Sequence, residues 1–468
     1  MSNGIVVQTD VAARDRLHAD SAALKHALMG LAGASIEWYD FLLYGTAAAL
    51  VFPTVFFPAT LSPFIALIAS FSTFAVGFVA RPVGAVLFGH MGDKVGRKTA
   101  FAVALIMMGT ATTLIGVLPS YRTAGVFSPL ALVLLRLTQG LAVGGQWGGA
   151  ILLATESAPQ SKRGLYGSIA QAGVTVGLLL ANLAFLLANS AMSSAAFMAY
   201  GWRIPFLLSI VLVGLGLFIH FRIADTVAFR LLQQAKPVGS SAPDSGAFAI
   251  TPIRALRSPV LEALRLHPGS IFLAAGAFVW GILAFYILIT YVVAYGTSAA
   301  GLQMPRSTML AAVLMAQAAV LPSLFIAGTL SDRYGRRRIF MTGVILMGIW
   351  AFILFPLVET RSLLWISVAI GGGLCCVGLS YGPLAAMFAE LFSTHVRYSA
   401  VSLAYQISAI IGGGLGPIVA TAVYARYHSN FWVSTFVASA CAMSLLCASM
   451  LKETRGTDLD RHSEPTVA

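Results

Sequence analysis

Charged side chains are scarce in this chain. Of 468 residues only 10% are Asp, Glu, Lys or Arg, while 58% are apolar and the mean hydropathy is +0.85. Soluble domains carry about 25% charged residues, so this inventory cannot clothe a water-facing surface. Cysteine is scarce as well. Cys375, Cys376, Cys441 and Cys447 all lie inside apolar runs, and no spacing among them suggests a disulfide framework or a tetrahedral metal site. They read as small packing residues, with no metal and no cofactor expected. There is no His/Glu metal cluster, nucleophile elbow or phosphate loop, and no soluble output domain, which argues against an enzyme or a sensor. The net charge of +12 is spread in small groups between apolar runs, without the basic stripe of a nucleic-acid-binding protein. The stretch up to Lys25 is polar and lacks the apolar core of a signal peptide, so the first apolar run is expected to stay in the protein.

What the chain does have is long apolar runs, several near the ~20 residues a bilayer requires. Twelve are counted, at Leu28–Phe52, Pro63–Phe88, Ala100–Leu118, Pro129–Leu153, Leu165–Ala188, Ile204–Phe221, Ser270–Tyr295, Thr308–Leu330, Ile339–Leu357, Leu363–Ala389, Ser399–Tyr424 and Phe431–Leu451. The only long polar connection, Arg222 to Pro268, contains "AKPVGSSAPDSGAF", a flexible-linker composition. The expected fold is an all-α membrane protein, with twelve transmembrane helices in two six-helix bundles related by pseudo-two-fold symmetry. Its parts are a tail at 1–27, a bundle at 28–221, a linker at 222–268, a second bundle at 269–451 and a tail at 452–468. With the N-terminus inside, the inner segments hold 22 Lys and Arg and the outer loops five, which places both termini in the cytoplasm.

A short motif occurs twice. "GHMGDKVGRKTAF" (Gly89–Phe101) and "GTLSDRYGRRRIF" (Gly328–Phe340) carry Gly, Asp, Gly, Arg, a second basic residue and Phe at the same places, at an offset of 239 residues. Both are tight turns on the inner side, after the second and the eighth runs. Glycine permits the turn, and the aspartate can cap a helix or pair with arginine. A second aligned feature pairs Glu156 with Arg163 and Glu390 with Arg397, equally spaced and offset by 234 residues. Parallel six-span halves of this kind build rocker-type transporters.

The pattern G-x-x-x-D-x-x-G-R-[RK], twice, resembles the signature of the major facilitator superfamily. "SIEWYDFLLYG" (Ser35–Gly45), "ARPVGAVLFGHMGDKVGRK" (Ala80–Lys98), "LRLTQGLAVGGQWGGA" (Leu135–Ala150) and "GWRIPF" (Gly201–Phe206) are similar to its metabolite:proton symporter family. That resemblance implies alternating access and a small polar solute, such as shikimate, 2-oxoglutarate, citrate, proline or betaine. It makes Gly89, Asp93, Gly96, Arg97, Lys98, Asp332, Gly335 and Arg336 gating residues, with Glu156, Arg163, Glu390 and Arg397 expected to contact those turns. The ending "KETRG" (Lys452–Gly456) resembles the P-E-T-K-G of sugar porters, but Lys452 stands where the proline usually is, and it is given no weight.

Ionisable groups at bilayer depth cost roughly 2.5–3.5 kcal/mol each, which makes every one a functional candidate. Four stand out: Glu37, Asp40, Arg81 and Arg136. Glu37, Asp40 and Tyr44 succeed one another at i, i+3 and i+4 intervals and share a helix face. A rise of ~1.5 Å per residue puts Asp40 and Arg136 at similar depth, so an Asp40–Arg136 pair is expected. Such a pair reads either as a fixed neutralising bridge or as a proton site. Proton coupling is assigned to Asp40, Glu37 and Arg136, and ligand contact to Arg81, Tyr44, Gln139, Trp147, Gln171, Tyr286 and Tyr381. The expected function is a proton-coupled symporter importing a small organic acid, working as a monomer in the inner membrane with substrate, protons and bilayer as partners. A zwitterion symporter is the alternative. An export antiporter is disfavoured because the fifth run lacks Gly-Pro.

Overall fold

The computed structural model describes residues 24, 27–28, 31–95, 97–144, 147–156, 158–222, 259–392 and 396–457, without the side chains of 89–90, 92–95, 97–101, 147–150, 153, 212, 215–216, 218–222 and 259–262. Gly96, and the side chains of Asp93, Arg97, Lys98 and Trp147, therefore lie outside the description, as do the tail to 23 and residues 223–258 of the linker.

A chain in hydrocarbon must satisfy its own backbone hydrogen bonds, and the apolar runs do so as helices. Six precede the linker: 31–50, Pro63–Val95, Arg97–Val117, a fourth span described in two parts (Phe127–Val143 and Trp147–Glu156), Arg163–Ser190 and Arg203–Arg222. Six come after it: Pro268–Thr297, Arg306–Tyr334, Arg336–Glu359, Leu363–Leu391, Arg397–Tyr427 and Asn430–Met450. Among the described residues eight helices are long and apolar enough to cross a membrane, and a ninth qualifies if the pair Ser194–Gly201 and Arg203–Val211, bent by 46°, counts as one. No strand occurs among the described residues.

Several boundaries differ from those expected. The second span runs to Val95 rather than Phe88, and the eighth to Tyr334 rather than Leu330, because helices continue past the apolar stretch into the polar layer. The fourth span is described as two helices, Phe127–Val143 and Trp147–Glu156, with residues 145–146 between them outside the description. The final part of the expected linker is helical, at Pro259–Leu266, with Ala263 buried. Spans seven and eleven each contain a π-helical segment, Ile287–Tyr291 and Ile410–Leu415. Such bulges often accompany functional sites.

Glycines set two of the closest helix contacts and turns. A Cβ on Gly140 would overlap the Gly77 carbonyl, and one on Gly144 the Arg81 carbonyl, so spans two and four touch backbone to backbone there. Gly335, at φ 107°, makes the sharp turn between spans eight and nine that a side chain would resist. Between the halves, Phe74 and Phe78 of span two meet Tyr286 of span seven edge-on, each at 5.4 Å between ring centroids.

Candidate functional site

The close approach of spans two and four brings Arg81 and Arg136 against the same residue of span one, Phe41. Both are fully buried, at 1% and 0% exposure. Neither forms an ion pair among the described residues. Instead the guanidinium carbon of each lies 4.0 Å from the centroid of the Phe41 ring. Arg81 also faces Phe78 at 4.8 Å, while Arg136 faces Tyr44 at 4.2 Å and Phe74 at 4.6 Å. Aromatic faces carry negative potential and attract cations by about 0.5–2 kcal/mol per contact, which partly replaces the lost hydration.

The hydrogen bonds are incomplete in an instructive way. Arg136 donates from Nη1 to Gln139 Oε1 at 3.0 Å, and Gln139 donates in turn to Thr112 Oγ1 at 2.8 Å. Arg136 Nη2, and Nε and Nη2 of Arg81, have no protein partner. Asp40 is buried with both carboxylate oxygens unpartnered, and Glu37 with Oε1 unpartnered. The expected Asp40–Arg136 pair does not form. Residues one apart on a helix point about 100° apart. Arg136 takes the Phe41 and Tyr44 side of the first span, whereas Asp40 turns toward Thr112 and Ser209 on spans three and six. Glu37 is within electrostatic range of Arg81 but beyond ion-pair distance.

The second half supplies phenols. Tyr286, Tyr381 and Tyr405 lie within electrostatic range of Arg81, and the Tyr286 hydroxyl is buried without a partner. Tyr381 stacks on Phe278 at 5.8 Å. Tyr44, named as a ligand contact, donates its hydroxyl to Thr73 at 2.7 Å and offers Arg136 only its ring. Gln171 donates Nε2 across the halves to the Tyr381 carbonyl, with Oε1 left unpartnered. Gln406 makes the counterpart bond to the Gly144 carbonyl at 3.4 Å. Phe41 and Tyr405 were not singled out from the sequence. The signal for Phe41 was its position three residues before Tyr44, on the same face; Tyr405 carried none.

At the end of the molecule bearing the second repeated turn, the described charges of Arg336, Glu390 and Asp332 are partnered. Glu390 accepts from Arg336 Nε at 3.2 Å and Nη2 at 3.1 Å, and from Thr454 Oγ1 at 3.0 Å. Asp332 pairs with Arg336 and accepts the backbone N–H groups of Gly164, at 2.9 Å, and Leu165, at 3.1 Å. It thus caps the fifth span from the other half. The Glu/Arg repeats also cross over. Arg397 bonds Glu156 at 3.0 Å and Arg163 approaches Glu390 at 3.9 Å, so each arginine meets the acid of the opposite half, not the one seven residues away. The degenerate ending takes part: Glu453 accepts from the Arg336 and Arg337 amides at 2.8 and 3.2 Å, and Gly456 and Thr457 carbonyls accept from Gln160 and Arg163. How the first repeat's charges sit is outside the description.

The chain matches the family described as sugar (and other) transporter over residues 26–464. It belongs to that family, within the major facilitator superfamily. It is 37% identical over 434 residues to the inner membrane metabolite transport protein YhjE of Escherichia coli, covering 92% of this chain and 94% of that one. It is also 37% identical over 440 residues to the shikimate transporter of the same organism, with 93% and 96% covered. The E. coli xylose transporter XylE, in a partially occluded inward-open conformation, shares the fold at a TM-score of 0.67 with 15% identity, covering 94% of this chain and all (100%) of that one. The chain is therefore a twelve-helix membrane transporter and not an enzyme, as the motif resemblance implied.

Proposed function

We propose that this transporter is a proton-coupled symporter that imports a small organic acid across the inner membrane by alternating access, as a monomer with both termini in the cytoplasm. One observation carries the reading: four charged side chains lie buried in the first bundle, two cations and two acids, with no ion pair joining them. A structural bridge would have paired them. Unpaired arginines with open N–H groups suit an arriving carboxylate, which a guanidinium can hold through two parallel hydrogen bonds. Unpaired buried acids suit proton carriage, since no arginine is bonded to either and alternating access changes their surroundings in each cycle.

Asp40 and Glu37 take the proton role, and Arg81 and Arg136 hold the ligand, with Gln139 fixing the Arg136 fork. Tyr286, Tyr381 and Gln171 close the site from the interface between the halves. The network of Arg336, Glu390, Asp332, Arg163, Arg397 and Glu156 closes the inner end, and the Gly89–Lys98 turn is its counterpart. A zwitterion is the second reading. It draws on the 28% identity to the E. coli proline/betaine transporter and on the unpaired acids, which could face a cationic group.

The test is uptake of radiolabelled shikimate, succinate, butyrate and proline into proteoliposomes, with and without an inward proton gradient. The proposal expects gradient-driven accumulation of an acid, lost in Asp40→Asn. Accumulation of proline alone moves the assignment to the zwitterion. Accumulation unaffected by the gradient removes proton coupling.

A further inference from the structure

Span eleven is docked to the first half at two places, with a weakened segment between them. We infer that this span is a two-piece gate hinged at Ile410–Leu415, whose outer piece stays closed on span two while its inner piece swings away from span four. The inference rests on the alternating access proposed above and holds whichever solute is carried.

The inner piece, Arg397–Ala409, meets span four. Arg397 bonds Glu156 at 3.0 Å, and Gln406 donates to the Gly144 carbonyl at 3.4 Å. The outer piece, Gly416–Tyr427, meets span two instead. There the Phe64 ring lies 6.0 Å from that of Tyr424 and 6.2 Å from that of His428, while Tyr295 of span seven backs Tyr424 edge-on at 5.1 Å. The two dockings differ in kind. Apolar ring contact has no donor direction to keep and survives a small tilt. The inner bonds depend on distance and angle and are lost once the helices part.

Three features loosen the segment between the pieces. It is π-helical, and sharp helix kinks gather at such bulges. Gly412, Gly413 and Gly414 follow one another within it, and glycine leaves the helical state more readily than any residue with a side chain except proline. Pro417 stands four residues after Gly413 and has no N–H to give to the Gly413 carbonyl. Packing accounts for two of the three glycines. A Cβ on Gly412 would overlap the Val279 carbonyl of span seven, and one on Gly413 would press on the rings of Phe78 and Tyr286. A Cβ on Gly414 would meet nothing nearer than Ala75 at 3.6 Å, an ordinary contact. The fold has room for a side chain at Gly414, and its absence serves the bending of the backbone.

The experiment measures distances between spin labels in the full-length protein in nanodiscs, at acid and neutral pH and in the Asp332→Ala background, where the cross-half cap on span five is lost. Labels replacing Tyr398 and Tyr427, both exposed, report the bend of span eleven. Labels replacing Ser161 and Thr342, exposed in opposite halves, report the inner end. The expected result is a Tyr398–Tyr427 distance that shortens whenever the Ser161–Thr342 distance lengthens. Gly414→Ala is expected to lower the bent population about fivefold, the effect of one glycine-to-alanine exchange in a helix, with a thermal unfolding midpoint no lower than that of the wild type. Pro417→Ala, which restores the missing N–H, is expected to act in the same direction. Gly371→Ala, at an equally roomy glycine in the regular helix of span ten, should change neither distance. A Tyr398–Tyr427 distance that stays constant while the inner end opens, or a bent population that survives both Gly414→Ala and Pro417→Ala, overturns the hinge and leaves alternating access intact. If neither distance changes under any condition, both fall.

Discussion

Arginines and carboxylates gather in two places in this transporter, and the two gatherings differ in how far they are satisfied. At the inner end Arg336 spends its N–H groups on Glu390, Asp332 and Ser331, and Asp332 caps a helix of the other half. In the middle of the first bundle, Arg81, Arg136, Glu37 and Asp40 are just as buried and are left with open donors and acceptors. A satisfied buried network specifies one arrangement and resists change. Open groups in the same low-dielectric setting are costly, and that cost is tolerable where a ligand or proton relieves it in each cycle. The first cluster therefore reads as a lock and the second as a site.

The largest effect should come from breaking the lock. Arg336→Ala leaves Glu390 buried without its bidentate partner, and such losses cost about 3–5 kcal/mol. A fall of many degrees in the thermal unfolding midpoint in detergent is expected, with ligand binding kept in the molecules that remain folded. Arg136→Ala should do the reverse, lowering uptake at least about 100-fold, roughly 2.7 kcal/mol, with little loss of stability because no acid is stranded. If Arg136→Ala destabilised the protein more than Arg336→Ala, the contrast between the clusters would collapse.

Asp332→Ala removes two charge-assisted bonds to the Gly164 and Leu165 amides and should favour opening of the inner end. Faster alkylation of a cysteine introduced at Gly164 or Ser331, in the Asp332→Ala background relative to the cysteine alone, reads that shift. The smallest effect belongs to Glu156 and Arg397. The Glu156 side chain is 47% exposed, so a double-mutant cycle of Glu156→Ala and Arg397→Ala should give a coupling below about 1 kcal/mol. A coupling of several kcal/mol would make this pair part of the lock itself.

Much of this design was legible in the residues alone. The twelve apolar runs, the two copies of the Gly-Asp-Gly-Arg turn and the isolated charges at 37, 40, 81 and 136 all come from local composition and spacing. Bilayer thickness and helix rise translate such patterns directly into spans, because a helix in hydrocarbon must close its own hydrogen bonds wherever it occurs. The structure buries all four of those charges in the first bundle.

Azimuth and partnership were not legible. Equal depth suggested an Asp40–Arg136 bridge, yet the rotation of span one puts Phe41 against Arg136 and sends Asp40 to spans three and six. The aligned spacing of Glu156, Arg163, Glu390 and Arg397 suggested contacts with the repeated turns, and Glu390 does hold Arg336, but the pairing of Arg397 with Glu156 and of Arg163 with Glu390 across the two halves was not in the spacing. The ending after Lys452 looked too degenerate to weigh, yet Glu453 caps span nine. Each of these contacts joins residues roughly 50 to 240 positions apart or depends on how a helix is turned about its axis. Helical periodicity holds no record of either, since it repeats every few residues. Packing sets them instead, above all the glycine contacts at Gly140 and Gly144 that seat span four against span two.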